Sequence, residues 1–431
     1  METYSQTLEL IYSLRGGMID LRLDRMERAL ALFDHPERRY FSLHIAGTNG
    51  KGSTAAMLHR ILSLAGYQTG LYTSPHLVSF TERMRIGANE ISEDEVVELA
   101  DEVRRRSEAA DLALTFFEFV TVMGFIYFAR HRVEIAVIEV GLGGRLDATN
   151  LVTPLVSVIT TISKDHQAYL GPDELSIGRE KGGIIKLGVP VICGKMTEPV
   201  RRLLKSIADE RGAKSYFLGA DFGFSLKNEG LFDYTGIKQR HSNLKLALQG
   251  RHQRINATLA LAATELIEAS FPVTEDCLRK GLATVQWPGR FEVMLDRPKV
   301  ILDGAHNSEG IGALIDALSE IRQGYRIKLL FAAMADKEWE LMIRALAPAV
   351  DEIMFTRVNM ERSTDPAELA HSVSGTLPRR ATRDARVGLQ TLLDESQDDD
   401  VILVAGSLYL LGEVRPMLEQ VAAAKRSGAQ S

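Results

Sequence analysis

Residues 40–54 read Tyr-Phe-Ser-Leu-His-Ile-Ala-Gly-Thr-Asn-Gly-Lys-Gly-Ser-Thr, an apolar run that breaks into a glycine-rich loop carrying one lysine. Tyr40 to Ala46 has the length and content of a buried strand. From Ser53 to Ala65 the pattern turns helical, with Ala55, Leu58, Ile61, Leu62 and Ala65 on one side. A strand, a loop and a helix in that order commit the chain to α/β architecture. They also gather backbone N–H groups and a helix N-terminus around a phosphate. Gly47, Gly50 and Gly52 allow close backbone approach, with Thr48 and Asn49 between them. Lys51 supplies a point charge, and Ser53 or Thr54 a hydroxyl for a metal-bound phosphate. The loop departs from G-x-x-x-x-G-K-[ST], because Gly52 separates Lys51 from the hydroxyls. A glycine-rich turn with no ligand is the competing reading of the loop alone.

The same alternation recurs along the chain. Arg132 to Val140, Leu155 to Ile162 and Val189 to Cys193 read as buried strands, with helices such as Ser92 to Glu108 and Phe116 to Arg130 between them. Parallel β-α-β units follow, with binding residues expected at the carboxyl ends of the strands. Arg251 to Ala269 is a further helix. Gln286-Trp-Pro-Gly-Arg290 breaks the pattern and marks a domain boundary. Past it the rhythm restarts with strands at Lys299 to Leu302, Ile327 to Ala333, Glu352 to Arg357 and Val401 to Ala405. Helices Ser308 to Arg322 and Lys337 to Ala347 lie between these strands, and Ala422 to Ser431 reads as a frayed tail.

At 431 residues the chain has room for more than one domain, and a net charge of −6 argues against a nucleic-acid scaffold. Two cysteines without metal-ligand spacing read as reduced thiols. No apolar run approaches the roughly 18 to 20 residues that span a bilayer, and Met1 to Arg15 has no signal-peptide core. A cytoplasmic protein without membrane attachment is the expectation.

Several polar residues interrupt this apolar pattern. Glu139 lies in an apolar run at a strand end, where a carboxylate suits Mg²⁺; a salt-bridged strand-end Glu is the alternative. His166 follows another strand and by itself reads as structural. Glu180-Lys181 precedes an apolar strand and by itself reads as a solvated helix end. His252 and Asn256 share a helix face and read as a surface pair with one core contact. Asp303-Gly-Ala-His306-Asn307 ends the first strand of the second domain, a position that favours function.

Together these segments resemble the folylpolyglutamate synthase/dihydrofolate synthase family, a branch of the Mur-type ATP-dependent amide ligases. The resemblance covers nearly the whole chain. It rests on Gly47 to Thr54, Tyr72-Thr-Ser74-Pro-His76, Thr115-Phe-Phe-Glu-Phe119, Glu139 to Asn150 and Asp165-His166. Glu180 to Lys186, Gly250 to Asn256, Gly289-Arg290-Phe-Glu292, Asp303 to Asn307 and Gly406-Ser-Leu-Tyr409 complete it. Ser308, Gly182 and Pro172 depart from the family's usual residues, and none is a proposed ligand.

The resemblance implies an N-terminal P-loop-type, mostly parallel α/β domain (1–288) that binds ATP. A smaller, Rossmann-like α/β glutamate-ligase domain (289–431) would follow. It implies that Gly47, Thr48, Asn49, Gly50, Lys51, Gly52, Ser53 and Thr54 hold ATP phosphates, with Lys51 on the terminal ones. Ser74 and Glu139 would hold a first Mg²⁺, and His166 with carbamylated Lys181 a second. Asn256, Arg290, Asp303 and His306 would bind nucleotide across a domain cleft. Thr115, Phe116, Phe117, Glu118 and Arg145 would meet the pterin-bearing substrate, with Ile19, Asp20 and Leu21 as dihydropteroate contacts. Lys51, His166, Lys181 and Arg290 would be the catalytic groups.

The implied partners are ATP, L-glutamate and dihydropteroate or a reduced folate, acting on a monomer. Three functions compete: a folate ligase with one or both activities, another Mur-type amino-acid ligase, and a P-loop kinase or nucleotide switch. Gly52 after the loop lysine and the second α/β domain count against the last.

Overall fold

The computed structural model describes residues 3–14, 22–320, 324–373 and 375–428. The chain divides into two compact units, Met1–Ala247 with Gln253–Val285, and Leu248–His252 with Gln286–Ser431.

The first unit carries strands β1 (Phe41–Ala46), β2 (Thr69–Tyr72), β3 (Met84–Ile86), β4 (Asn89–Glu90), β5 (Ile135–Glu139), β6 (Val156–Ile159), β7 (Val191–Cys193) and β8 (Ser215–Phe217). Among the described residues these form one sheet in the order β4-β3-β2-β5-β1-β6-β7-β8. The six strands from β2 to β8 in that order run parallel, and β3 and β4 add an antiparallel edge. Every residue of β5 is buried, which is why it reads as an apolar run up to Glu139.

Helices Asp24–Ala31, Glu93–Ala109 and Phe116–Arg130 build one core against the sheet through Met26, Leu99, Phe125 and Ile138. Helices Glu174–Gly182 and Glu198–Glu210 build another through Ile177, Leu204, Ile159 and Cys193. From β1 the chain crosses to β2 on one side, while β6 lies on the other. The end of β1 is therefore a topological switch point, where such sheets open a crevice.

A small antiparallel sheet of β9 (Gly223–Leu226), β10 (Phe232–Thr235) and β11 (Arg240–Leu244) is absent from the sequence reading. Phe232 and Tyr234 are buried while Asp233 and Thr235 are not, so no continuous apolar run announces it.

The second unit holds β12 (Glu292–Asp296), β13 (Lys299–Leu302), β14 (Ile327–Phe331), β15 (Glu352–Phe355), β16 (Arg379–Ala381) and β17 (Val401–Ala405), in the order β12-β13-β17-β14-β15-β16. All but β12 are parallel. Ile301, Phe331, Ile343, Phe355 and Leu403 form its core.

The C-terminal tail corrects the sequence reading. Helix Leu408–Gly428 continues through Ala422 and beyond, where the sequence predicts a frayed tail. Lys425 Nζ donates to the Arg297 carbonyl, and Lys425 and Arg426 suit the helix's negative end. Among the described residues no helix is long and apolar enough to cross a membrane.

Candidate active site

At the carboxyl end of β1 the chain turns through Gly47–Asn49 into helix Lys51–Leu64, which starts two residues before the sequence reading placed it. Gly50 caps that helix at φ +85°, with no side-chain hydrogen bond to its first turn. A Cβ on Gly50 would lie 2.3 Å from Asn256 Oδ1, so glycine is needed both for the backbone and for the space. The Lys51 ammonium folds back to donate to the carbonyls of Gly47 (3.1 Å) and Thr48 (3.3 Å). Ser53 and Thr54 are buried in the first helical turn.

The neighbouring strand ends face this loop. Ser74 N–H donates to Glu139 Oε2 at 3.2 Å, bringing together two of the residues expected around a metal. Lys181, on helix Glu174–Gly182, is buried rather than solvated as its local sequence suggests. Its ammonium donates to the Gly47 carbonyl at 2.9 Å, so two lysines meet on one oxygen. Burial lowers the Lys181 pKa to about 7, assisted by the charge of Lys51 and opposed by Asp165 and Asp147.

Asp147 accepts from Leu142 N–H (2.8 Å), Thr149 N–H (3.0 Å) and the Thr149 hydroxyl (2.5 Å). Burial still pushes its carboxyl above the usual range. Asp147 lies within the Glu139–Asn150 segment, where nothing local marks it for a role. His166 sits at φ +52° before the short helix Gln167–Leu170, exposed, with Nε2 3.8 Å from Asp165 Oδ2. Among the described residues no cluster of three or more His, Cys, Asp or Glu forms a metal site unaided.

Thr115 and Glu118 form a capping box at the start of helix Phe116–Arg130. The Glu118 carboxylate takes the Thr115 N–H (2.8 Å) and the Arg25 Nε (2.8 Å). Phe116 packs on Tyr12 and lies 5.4 Å from the Arg83 guanidinium. Arg145 is tied to Glu180 by a 2.8 Å ion pair. Ile19, Asp20 and Leu21 lie outside the described residues.

Asn256 is buried, not a surface residue, and donates to Gln253 Oε1 at 3.1 Å. The helix face it shares with His252 is turned inward by packing that no local pattern reveals. In the second unit Asp303 accepts from Phe291 N–H and Ala305 N–H, both at 2.9 Å. Burial raises its pKa, opposed by Arg290 and His252. His306 Nδ1 lies 2.8 Å from the Gly304 carbonyl. Sequence reasoning missed Arg25, which holds Glu118, and Thr160 and Thr161, whose hydroxyls contact the Asn49 backbone; two threonines just past β6 are the only local signal.

Residues 45–264 match the Mur ligase middle domain, and residues 289–408 match the Mur ligase, glutamate ligase domain. The Bacillus subtilis dihydrofolate synthase/folylpolyglutamate synthase is 34% identical over 409 residues, 92% of this chain and 95% of that protein. The Escherichia coli protein of the same name is 31% identical over 421 residues, 98% and 96% of the two chains. The structure of E. coli FolC in complex with DHPP and ADP superposes with a TM-score of 0.90 at 30% identity, covering 99% of both chains. That of the Yersinia pestis bifunctional enzyme complexed with AMPPNP and Mn ion gives 0.88 at 30% identity, over 97% and 98%.

Proposed function

We propose, for a chain that belongs to the dihydrofolate synthase/folylpolyglutamate synthase family of Mur ligases, that it adds L-glutamate to both dihydropteroate and reduced folates at the expense of ATP. The observation that carries this reading is the convergence of Lys51 and the buried Lys181 on Gly47, beside the Ser74–Glu139 pair, in a chain that matches these ligases over more than nine-tenths of their length. The kinase and nucleotide-switch readings leave Lys181 and the glutamate ligase domain without a role.

In the reaction a substrate carboxylate oxygen attacks the γ-phosphorus of ATP, forming an acyl phosphate as the bond to ADP breaks. The glutamate amine then attacks the acyl carbon, and phosphate leaves as the C–N bond forms. Two anions must meet, so positioning and charge neutralisation carry the catalysis. Lys51 exchanges its loop carbonyls for phosphate oxygens. Asn256, Arg290, Asp303 and His306 bind the nucleotide, while Thr115, Phe116, Phe117 and Arg145 line the substrate side. Glu118 supports that side by holding Arg25 and the helix start.

The donor set fits a hard cation: a buried carboxylate at a strand end with a serine beside it offers oxygen. Magnesium, when bound, neutralises the phosphates; Ser74 and Glu139 would hold one ion, and His166 with Lys181 a second. An unmodified lysine is no magnesium ligand. Burial lowers the Lys181 pKa towards neutrality, which favours the neutral amine. Its lone pair can bond CO₂, releasing a proton and leaving an oxygen-donating carbamate. The enzyme would act as a monomer in the cytoplasm.

Purified protein with ATP, Mg²⁺ and labelled glutamate should convert dihydropteroate and a reduced folate to products heavier by one or more glutamates. Conversion of the reduced folate alone would make it monofunctional, and conversion of neither would refute the proposal. Lys181→Ala should lose activity at least about a hundredfold with an unchanged circular dichroism spectrum. Partial rescue by a short-chain carboxylic acid is expected, and retained activity would remove the carbamate.

A further inference from the structure

A loop that points its N–H groups at an anion must satisfy its carbonyls elsewhere. Here the Gly47 carbonyl takes Lys51 and Lys181, the Thr48 carbonyl takes Lys51, and the Asn49 carbonyl takes the Thr160 hydroxyl at 2.6 Å. The N–H groups of the same front half are also engaged. Thr48 N–H donates to the Thr161 carbonyl at 2.8 Å, and Asn49 N–H to Thr161 Oγ1 at 3.1 Å. Two residues past Thr161, the Thr48 hydroxyl donates to the Ser163 carbonyl and accepts Ser163 N–H, both at 3.1 Å. The β1–β6 pairing is thereby carried past the strand ends into the loop.

Two consecutive threonines thus grip Asn49 by its carbonyl and its N–H. Thr160 is confined on both sides: a Cβ on Gly47 would lie 1.8 Å from its Oγ1, and one on Gly194 2.0 Å from its carbonyl oxygen. Part of the requirement for glycine at position 47 is therefore room for the Thr160 hydroxyl.

We propose that Thr160 and Thr161 are positioning residues that bolt Gly47–Asn49 to the end of β6. The phosphates are left to the back half of the loop and the start of helix Lys51–Leu64. That start has no side-chain cap, and the first N–H groups of a helix lack intrahelical partners. This inference rests on the ATP-site reading above and deepens it.

The test separates the two by measuring ADP binding with Mg²⁺ calorimetrically. Failure of the wild-type chain to bind ADP would sink the ATP-site reading itself. If the wild type binds, Thr160→Val and Thr161→Val should each weaken ADP about tenfold, the loss expected for one polar contact. The corresponding serine variants, which keep the hydroxyl, should stay within about threefold of wild type. In turnover the valine variants should raise KM for ATP and leave KM for glutamate unchanged. Wild-type ADP affinity in both valine variants, or equal loss in the serine variants, overturns the proposal.

Amide exchange of the wild-type protein gives a readout that needs no variant to fold. Without nucleotide, the Thr48 and Asn49 amides should exchange slowly, while those of Lys51 and Gly52 slow only when ADP is added. Fast exchange at Thr48 and Asn49 overturns the clasp.

Discussion

His44 shows how much one side chain depends on what lies opposite it. It sits in β1, fully buried, with Nε2 2.9 Å from Thr149 Oγ1. The single proton of that hydroxyl goes to Asp147 Oδ1 at 2.5 Å, so His44 must be the donor through Nε2. Burial, with a smaller contribution from Lys186, lowers its pKa from 6.5 to about 3. The unfolded chain then binds more protons than the native one between those values. Stability is present above pH 6.5 and is lost as the pH falls towards 3, at up to about 1.4 kcal/mol per pH unit. His44→Gln retains a donor without titrating, so its urea midpoint should fall less than the wild type's between pH 6.5 and 4. Equal slopes in the two proteins would contradict this. In the sequence His44 is one polar letter in an apolar strand, with nothing to mark its partner 105 residues away.

Helix Phe116–Arg130 is legible to the residue from its composition, and its Thr115–Glu118 capping box can be read from spacing alone. What spacing does not reveal is Arg25, whose Nε meets both Glu118 oxygens at 3.0 and 2.8 Å. Glu118 is thereby a cap and half of a largely buried ion pair. Glu118→Ala should destabilise the protein by about 2 to 4 kcal/mol, by removing the cap and stranding a guanidinium. Arg25→Met added to that background should recover part of the loss. Unfolding curves for the single and double variants check this; a single variant as stable as wild type would disprove the pairing's importance. The antiparallel sheet β9–β11 is the opposite case, an element invisible in sequence because only alternate residues of short strands are buried.

For the whole molecule, the sequence alone determined the α/β class, most strands and helices of both sheets, and the glycine-rich loop with its lysine. These are local properties: buried parallel strands are continuous apolar runs, helices repeat at 3.6 residues, and a phosphate loop needs its glycines in one short stretch. Recognition of the ligase family came from the order of many such stretches. The tertiary structure alone decided that Lys181 is buried and shares the Gly47 carbonyl with Lys51, that Asn256 turns inward beside Gly50, and that Thr160 and Thr161 hold Asn49. Each of these facts joins residues about a hundred or more positions apart through sheet order and helix packing. Burial and charge state follow from the neighbours such packing supplies, so a lysine that reads locally as solvated becomes a buried cation beside the glycine-rich loop.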